Sequence, residues 1–575
     1  MRILNVTLLI CLLVACSDHS DQIENSIKLK DVDAGEDLQL LRKDFQEQVL
    51  NPHPDVYVVV GYGLANSILI KGKDEDLIID TMGGIETAER IIEEFEKVSS
   101  NTKKTIAYTH FHADHILGAQ AFTEKYDVDK IISHRSTIEE VEKFFGIKRD
   151  VIGPRSLKMF NSILKEEDKG ISNGIGIKLE AGRDKPGYVK PNTLFDKTLT
   201  LNVGGNKIDF YHAPGETDDQ IFVWYEKGKV LFPGDNIYKA FPNIYTIRGT
   251  SYRSFRSWYQ SLEKMMALEP EVLVPSHGVP IVGAENVKTI LSTYRDAIKY
   301  VHDQTLRNIN NGLSPLDSAR AVRLPDALKS DPHLFELYGT VEWSARNLFN
   351  GYFGWFDGNP TNLFPNDDAS TATRLLELIS PEKLNKELLD SVAKKDHQWT
   401  LYVTDILINS GNETDEIRKF RSQALNELGD QAYNPNARSY YKSSYAELAG
   451  ELNSDSFIDE DNEMEDSVLS ELSIIMFFDT AAIRLDPSKV DGKELRTVAH
   501  LTDLDEYWEL TLKNNVFTYR IIDEITAPDI VLSSLTLKQL MTGNINPITG
   551  ILLSNQNATG ENKRGFLEFV SNFRE

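Results

Sequence analysis

The chain has 575 residues, 41% of them hydrophobic, and 62 Lys+Arg against 88 Asp+Glu leave a formal charge of −26. That is core material for about three or four domains, without the Gly/Pro bias of a disordered or fibrous chain and without a fixed-period repeat. The charge argues against a nucleic-acid binder, which needs a cationic face to release counterions from phosphates, and both cysteines fall within the first 16 residues, so no disulfide framework or Cys-rich zinc site can form downstream.

The chain opens with Met1-Arg2, an apolar run Ile3 to Ala15, and Cys16 followed by Ser-Asp-His-Ser. A run of that length is too short to span a bilayer and fits a signal-peptide core. Leu13-Val14-Ala15-Cys16 resembles a bacterial lipobox, in which the Cys is acylated; an ordinary signal peptide with a chance Cys is the plainer alternative. The expected organisation starts with a lipoprotein signal at 1–16 and a polar tether at 17–50. It implies an exported protein held by lipid at Cys16, on the periplasmic side of the outer membrane in a Gram-negative host, since Ser17 rather than Asp follows the Cys.

From 51 to about 290 the pattern is α/β. Val56 to Val60, Asn66 to Ile70 and Leu77 to Asp80 read as strands, Thr87 to Val98 as an amphipathic helix, and Thr105 to Tyr108 as a strand ending in Thr109-His110-Phe111-His112-Ala113-Asp114-His115. Three imidazoles and a carboxylate in six residues are costly to bury unless something binds them, and zinc takes this N/O donor set. In an extended segment, residues two apart point the same way, so His110 and His112 can clasp one ion while Asp114 and His115 turn to a second.

His-x-His-x-Asp-His resembles the signature of the metallo-β-lactamase superfamily, which implies an αββα sandwich and further ligands downstream. Pro214-Gly215-Glu216-Thr217 matches the next ligand turn with Glu in place of His, Phe232-Pro233-Gly234-Asp235 matches the bridging Asp, and Pro275-Ser276-His277 matches the closing His. The resemblance thus implies His110, His112 and Glu216 on one Zn²⁺, Asp114, His115 and His277 on the other, and Asp235 between them. With a bridging hydroxide that centre is formally neutral, a milder Lewis acid than one built with His, and still able to bring a bound water from a pKa of 15.7 to about 7. His134 and His212, at strand ends nearby, are candidates to orient a ligand or are plain structural histidines.

The Glu ligand and the rest of the chain resemble the alkylsulfatase branch. Asn243-Ile244-Tyr245-Thr246-Ile247-Arg248-Gly249 is like the branch's Asn-Leu-Tyr-Thr-Leu-Arg-Gly segment; Leu337-Tyr338-Gly339 to Asn350, with Gly354 to Pro360, is like its helical dimerisation domain; and about 469–544 is similar to its sterol-carrier-like domain. Two features depart from the branch: an Asp bridge at Asp235 where Glu is common, and a turn after Pro214 that is one residue shorter. The resemblance implies Asp235, Glu216 and Arg248 as catalytic groups and Arg248, Asn243 and Tyr245 as substrate contacts. Arg248 by itself is a planar cation suited to an oxyanion, or a surface Arg paired with a carboxylate.

Region 291–452 reads as helical over Leu291 to Asn308, Leu316 to Leu328, His333 to Asn350 and Pro381 to Ala393, and its aromatic cluster Trp343 to Phe356 serves either a helical core or, as the resemblance implies, a homodimer interface. Region 453–575 starts with seven carboxylates in twelve residues, Asp455 to Asp466, read as a solvated linker. It continues as strands over Arg496 to Leu501, Trp508 to Leu512 and Val516 to Ile521 with helices beginning near Ser467 and Thr536, enclosing either an apolar tunnel or packed side chains. Together these readings lead to hydrolysis of a small amphiphilic sulfate ester, with the C-terminal domain guiding the alkyl tail and attack at carbon preferred because no strong acid is at hand for an alkoxide. The alternatives are an aryl sulfatase, phosphodiesterase, lactonase or β-lactamase on the same fold, or a non-catalytic lipid-binding lipoprotein.

Overall fold

The computed structural model describes residues 34–165, 169–177, 179, 184–452, 471–523, 527–546, 549 and 560–573. The signal segment with Cys16 and the acidic run Asp455 to Asp466 lie outside the described residues. Two sheets face each other. The first pairs β1 (Gln48–His53), β2 (Val56–Val60), β3 (Ser67–Ile70), β4 (Glu75–Ile79), β5 (Lys103–Ala107), β6 (Asp127–His134) and β7 (Thr193–Phe195) in that order, antiparallel up to β4 and parallel beyond it. The second has the order β13 (Ile281–Val282), β12 (Val272–Leu273), β11 (Val230–Phe232), β10 (Ile221–Tyr225), β9 (Asn206–His212), β8 (Thr198–Val203).

The strand period of two decides which side chains close the sandwich. Val56, Val58 and Val60 of β2 meet Ile208, Phe210, Val223 and Phe232 of the second sheet, while Val59 points back to Ile91 and Phe95 of helix Ile85–Glu96. Helices Phe255–Met266 and Ala284–Asn310 cover the outer face of the second sheet with Trp258, Leu262, Leu291 and Ile298, completing the αββα layers.

Four expectations change. Residues 34–50, read as tether, contain helix Ala34–Lys43 and the start of β1; Leu38 and Leu41, three apart, bury on one helix face with Phe45 after it, against Tyr238 and Leu337. The division at 290/291 falls inside helix Ala284–Asn310. The expected helix Leu316 to Leu328 is two, Pro315–Ala321 and Asp326–Lys329, because Pro325 donates no hydrogen bond and disfavours a helical residue before it. Likewise the expected helix from His333 starts only at Val341, where Thr340 caps it by accepting from the Trp343 amide at 3.1 Å.

The helical region continues through Asp368–Ile379, Pro381–Ala393, His397–Asn409, Asp415–Gln431 and Pro435–Leu448. Trp355, Phe364 and Leu378 stand largely exposed on it. The C-terminal region is α+β: β14 (Leu495–Leu501), β15 (Glu506–Lys513), β16 (Val516–Ile522) and β17 (Ile530–Leu532) form a sheet of order β16-β15-β14-β17 under helices Ile474–Arg484, Ser534–Thr542 and Gly560–Ser571. Among the described residues, the space between sheet and helices is filled by Phe477, Phe478, Trp508, Phe517 and Phe569, so packed side chains stand where a tunnel was the other expectation. No helix among the described residues is long and apolar enough to cross a membrane.

A helical hairpin, Thr137–Phe145 followed by Arg149–Met159, is where the three regions meet. Glu142 accepts from the Ser473 amide at 2.8 Å, Asp150 pairs with Arg484 at 2.9 Å, and Lys158 pairs with Glu447 at 2.5 Å. Gly146 permits the closest approach, since a Cβ there would lie 2.7 Å from Thr480 Oγ1.

Candidate metal centre

The C-terminal ends of β4, β5, β9, β11 and β12 meet at one edge of the sandwich, so residues far apart in sequence converge. His110 and His112 lie in the loop after β5, and Asp114 and His115 in the short helix Ala113–Ile116 that follows. Glu216 follows β9, Asp235 follows β11 and His277 follows β12. All seven are buried, and they form two groups: His110, His112, Glu216 and Asp235, and Asp114, His115 and His277. Asp235 reaches both: its Oδ2 is 3.7 Å from His110 Nε2, 3.5 Å from His115 Nε2 and 3.1 Å from His277 Nε2.

Hydrogen bonds around the centre decide which ring nitrogens face it. Asp80, at the end of β4, accepts from the Thr109 amide and hydroxyl and from His115 Nδ1, each at 2.8 Å, and from Ser276 Oγ at 3.1 Å. Because the Thr109 hydroxyl proton goes to Asp80, its oxygen accepts from His110 Nδ1 at 3.0 Å. His277 Nδ1 donates to the Leu64 carbonyl at 2.8 Å. All three rings therefore turn Nε2 inward.

Electrostatics follow from burial and neighbours. Burial, then the facing His115, holds His110 well below the usual imidazole range, and burial with His110 and Arg248 does so for His112, so both stay neutral as ligands must. Burial opposes ionisation of Asp235, yet His277, His115 and His110 hold it well below the carboxylate range, and His115 brings Asp114 to about 2 against the same opposition. Burial disfavours the charged His277 ring, but Asp235 raises it to about 9. Burial pushes Glu216 up to about 8, with Arg253 opposing. His115 Nε2, Glu216 Oε2 and Asp235 Oδ1 are buried without a protein partner, and these leftover donor atoms in an N/O cluster are what a divalent cation satisfies.

Above the centre is a cavity with apolar walls from Phe111, Phe144 and Ile152 and cations Lys148, Arg248 and Arg253. Arg248 Nη2 donates to His112 Nε2 at 3.1 Å, and its guanidinium lies 5.4 Å over the Phe144 ring. Its Nε is buried without a partner. Of the other expected substrate contacts, neither Asn243 nor Tyr245 is on the cavity wall. Asn243 is buried, its side-chain amide without a protein partner and its carbonyl accepting from Arg253 Nη1; Tyr245 is half-buried. His134 and His212 stack on each other with centroids 3.7 Å apart and bond Ser136 Oγ and the Asp196 and Asp218 carbonyls, so they are structural.

Sequence reasoning missed Asp80 and Arg253. Arg253 Nη1 bonds Glu216 Oε1 at 2.6 Å, both side chains almost fully buried, and fixes the carboxylate that stands where the superfamily has His. The available signals were a carboxylate closing an apolar strand, Leu77-Ile78-Ile79-Asp80, and a second Arg five residues past Arg248.

Family models match along most of the chain: metallo-beta-lactamase superfamily at residues 60–277, alkyl sulfatase dimerisation at 315–451, and alkyl sulfatase C-terminal at 462–573. The chain is 31% identical over 506 residues to a linear primary-alkylsulfatase of Pseudomonas sp., covering 86% of this chain and 96% of that protein. An alkyl/aryl-sulfatase of Saccharomyces cerevisiae is 26% identical over 477 residues, 81% of this chain and 73% of the relative. The structure of a stereoselective inverting sec-alkylsulfatase from Pseudomonas sp. superposes with a TM-score of 0.84 at 24% identity, over 95% of this chain and 88% of that one, and so shares the fold.

Proposed function

Because the chain belongs to the alkylsulfatase branch of the metallo-β-lactamase superfamily, we propose that it hydrolyses alkyl sulfate esters of the dodecyl sulfate type to alcohol and inorganic sulfate at a dinuclear zinc centre. The observation that carries this is a cluster of seven buried ligand-type side chains, two of which, His112 and Glu216, border a cavity that also holds an arginine with an uncommitted buried Nε and three apolar walls. Such a lining suits a ligand with an oxyanion head and a hydrocarbon tail.

His110, His112 and Glu216 would hold one ion, Asp114, His115 and His277 the other, with Asp235 between them. Bound there, two Zn²⁺ supply the positive charge that acidifies a water and withdraws charge from sulfate oxygens. The chain's residues do the rest. Asp80, Thr109 and the Leu64 carbonyl keep three imidazoles in the ligating tautomer, and Arg253 orients Glu216 and favours its ionised form against burial. Arg248 presents its fork to the sulfate oxygens, while Phe111, Phe144 and Ile152 take the first carbons and exclude water, so that tail binding orients the head. Water adds to carbon, the C–O bond breaks and sulfate departs with its four oxygens, a step that needs no strong acid; none stands by, since His134 and His212 are committed elsewhere.

We further propose that two copies associate through the helical region, where Trp355, Phe364 and Leu378 are exposed, and that the protein is exported and anchored by lipid at Cys16. Labelled palmitate incorporated by the wild type and lost in Cys16→Ala tests the anchor. The deciding experiment is release of dodecanol and sulfate from dodecyl sulfate by zinc-loaded protein lacking residues 1–16, beside Glu216→Ala and a chelated sample. Turnover lost in both controls is expected; no turnover from protein shown to hold two metals refutes the reading. Hydrolysis in ¹⁸O water that puts the label in sulfate refutes attack at carbon.

A further inference from the structure

The hairpin over the cavity carries one cation whose bonding sets it apart. Lys148, between the two hairpin helices, donates from Nζ to Ser251 Oγ at 2.8 Å, crossing from the hairpin to the 248–253 loop. Lys143 pairs with Glu139 and Glu140, and Lys158 with Glu447, while Arg149 and Arg155 of the hairpin lie off the cavity wall. Among the described residues Lys148 pairs with no carboxylate, in a chain of net charge −26. It is also the outermost cation of the cavity: Lys148 is half-buried, Arg248 and Arg253 are buried, and Arg253 is committed to Glu216.

The cavity beneath this contact offers about 30 Å³ to the centres of water-sized spheres, room for about two or three waters. Entry of a sulfate ester through this cavity requires hairpin and loop to part, and parting them breaks the Lys148–Ser251 bond. The same motion that opens the mouth therefore frees an ammonium beside it. A neutral hydroxyl is an easily displaced partner, because a charge-assisted bond from ammonium to a sulfate oxygen is the stronger one.

We propose that Lys148 is the anion-capture residue of the mouth, exchanging the Ser251 hydroxyl for an oxygen of the incoming sulfate ester before the head group passes to Arg248. The proposal rests on the alkylsulfatase reading above. An anion approaching a strongly acidic protein is repelled at long range, and a cation at the entrance reverses the field within a Debye length of about 10 Å at 0.1 M salt.

The test uses zinc-loaded full-length protein and octyl sulfate below its micellar range, with steady-state rates over a series of ionic strengths for the wild type, Lys148→Ala, Lys148→Arg and Ser251→Ala. For K148A, KM should rise about five- to tenfold with kcat within about twofold, and kcat/KM should depend less on salt. K148R should restore both. S251A should lower KM, since the ammonium no longer has to leave a partner. Wild-type KM and salt dependence in K148A would overturn the proposal, as would S251A raising KM as K148A does, which would make the contact a purely structural strap. If the wild type cleaves no alkyl sulfate, the functional reading fails separately. Calorimetry with inorganic sulfate then decides on Lys148: weaker binding in K148A supports the capture role and equal binding overturns it.

Discussion

Asp80→Asn is a near-isosteric change that separates the orientation of a ligand from its identity. The Asp80 carboxylate is fully buried and accepts from Thr109, His115 and Ser276. An asparagine keeps one acceptor for the Thr109 amide but places an N–H₂ where Oδ2 was. The Thr109 and Ser276 hydroxyls can turn to accept from it; His115 Nδ1–H cannot. To avoid opposing donors, His115 must move its proton to Nε2, the atom that faces Asp114 and Asp235 at 3.4 and 3.5 Å. A protonated Nε2 cannot ligate, so the group Asp114, His115 and His277 loses one donor of three. The expected loss is about 10–100-fold in affinity for one of the two ions, or about 1.4–2.7 kcal/mol, with a smaller loss at the other group, where His110 is held only through Thr109. Zinc stoichiometry and affinity measured by competition with a chromophoric chelator read this directly, and turnover should fall with the weakly held ion. D80N holding both ions with wild-type affinity, or losing both equally, would refute the tautomer argument.

Three further outcomes follow from the same structure. Burial pushes the Asp219 carboxyl from 3.8 up to about 7, so its proton stabilises the fold fully below pH about 4 and that contribution is lost as pH rises to about 7; at three units the upper bound is about 4 kcal/mol. Asp219→Asn should then raise the unfolding midpoint at pH 8 and leave it nearly unchanged at pH 4, and equal shifts at both would contradict this. Lys104 pairs with Asp76 at about 1% exposure, and Asp76 is also bonded by Ser99 Oγ and Asn101 Nδ2; Lys104→Met leaves a buried carboxylate without its cation and should cost about 3–5 kcal/mol in urea unfolding, with a loss under about 1 kcal/mol counting against it. Zinc binding should satisfy the buried donor atoms left without partners, so the metal-loaded protein should melt above the chelated one, by the equivalent of about 2.7 kcal/mol when free zinc is 100 times Kd; coincident melting curves would speak against a metal centre there.

The ligand-type residues were legible because their signal is local. His110, His112, Asp114 and His115 sit within six residues at the end of one apolar strand, and Glu216, Asp235 and His277 each close a strand at a turn marked by Pro, with Gly beside Glu216 and Asp235. The sandwich was legible for the same reason, since alternation along β2 assigns each valine to a face without knowledge of the opposing layer. What only the tertiary structure decided depends on contacts across long separations. Asp80 meets His115 and Ser276 from 35 and 196 positions away, and Arg253 reaches Glu216 from 37. Neither partnership leaves a periodic trace, because a hydrogen bond between loops constrains two side chains and no repeat. The folded 34–50 segment, the stacked His134–His212 pair and the aromatic-filled C-terminal region belong to the same class. Composition and spacing can name which side chains are able to bind a metal or bury themselves; packing chooses the partner that orients each one, and that choice is made where chain segments meet in three dimensions.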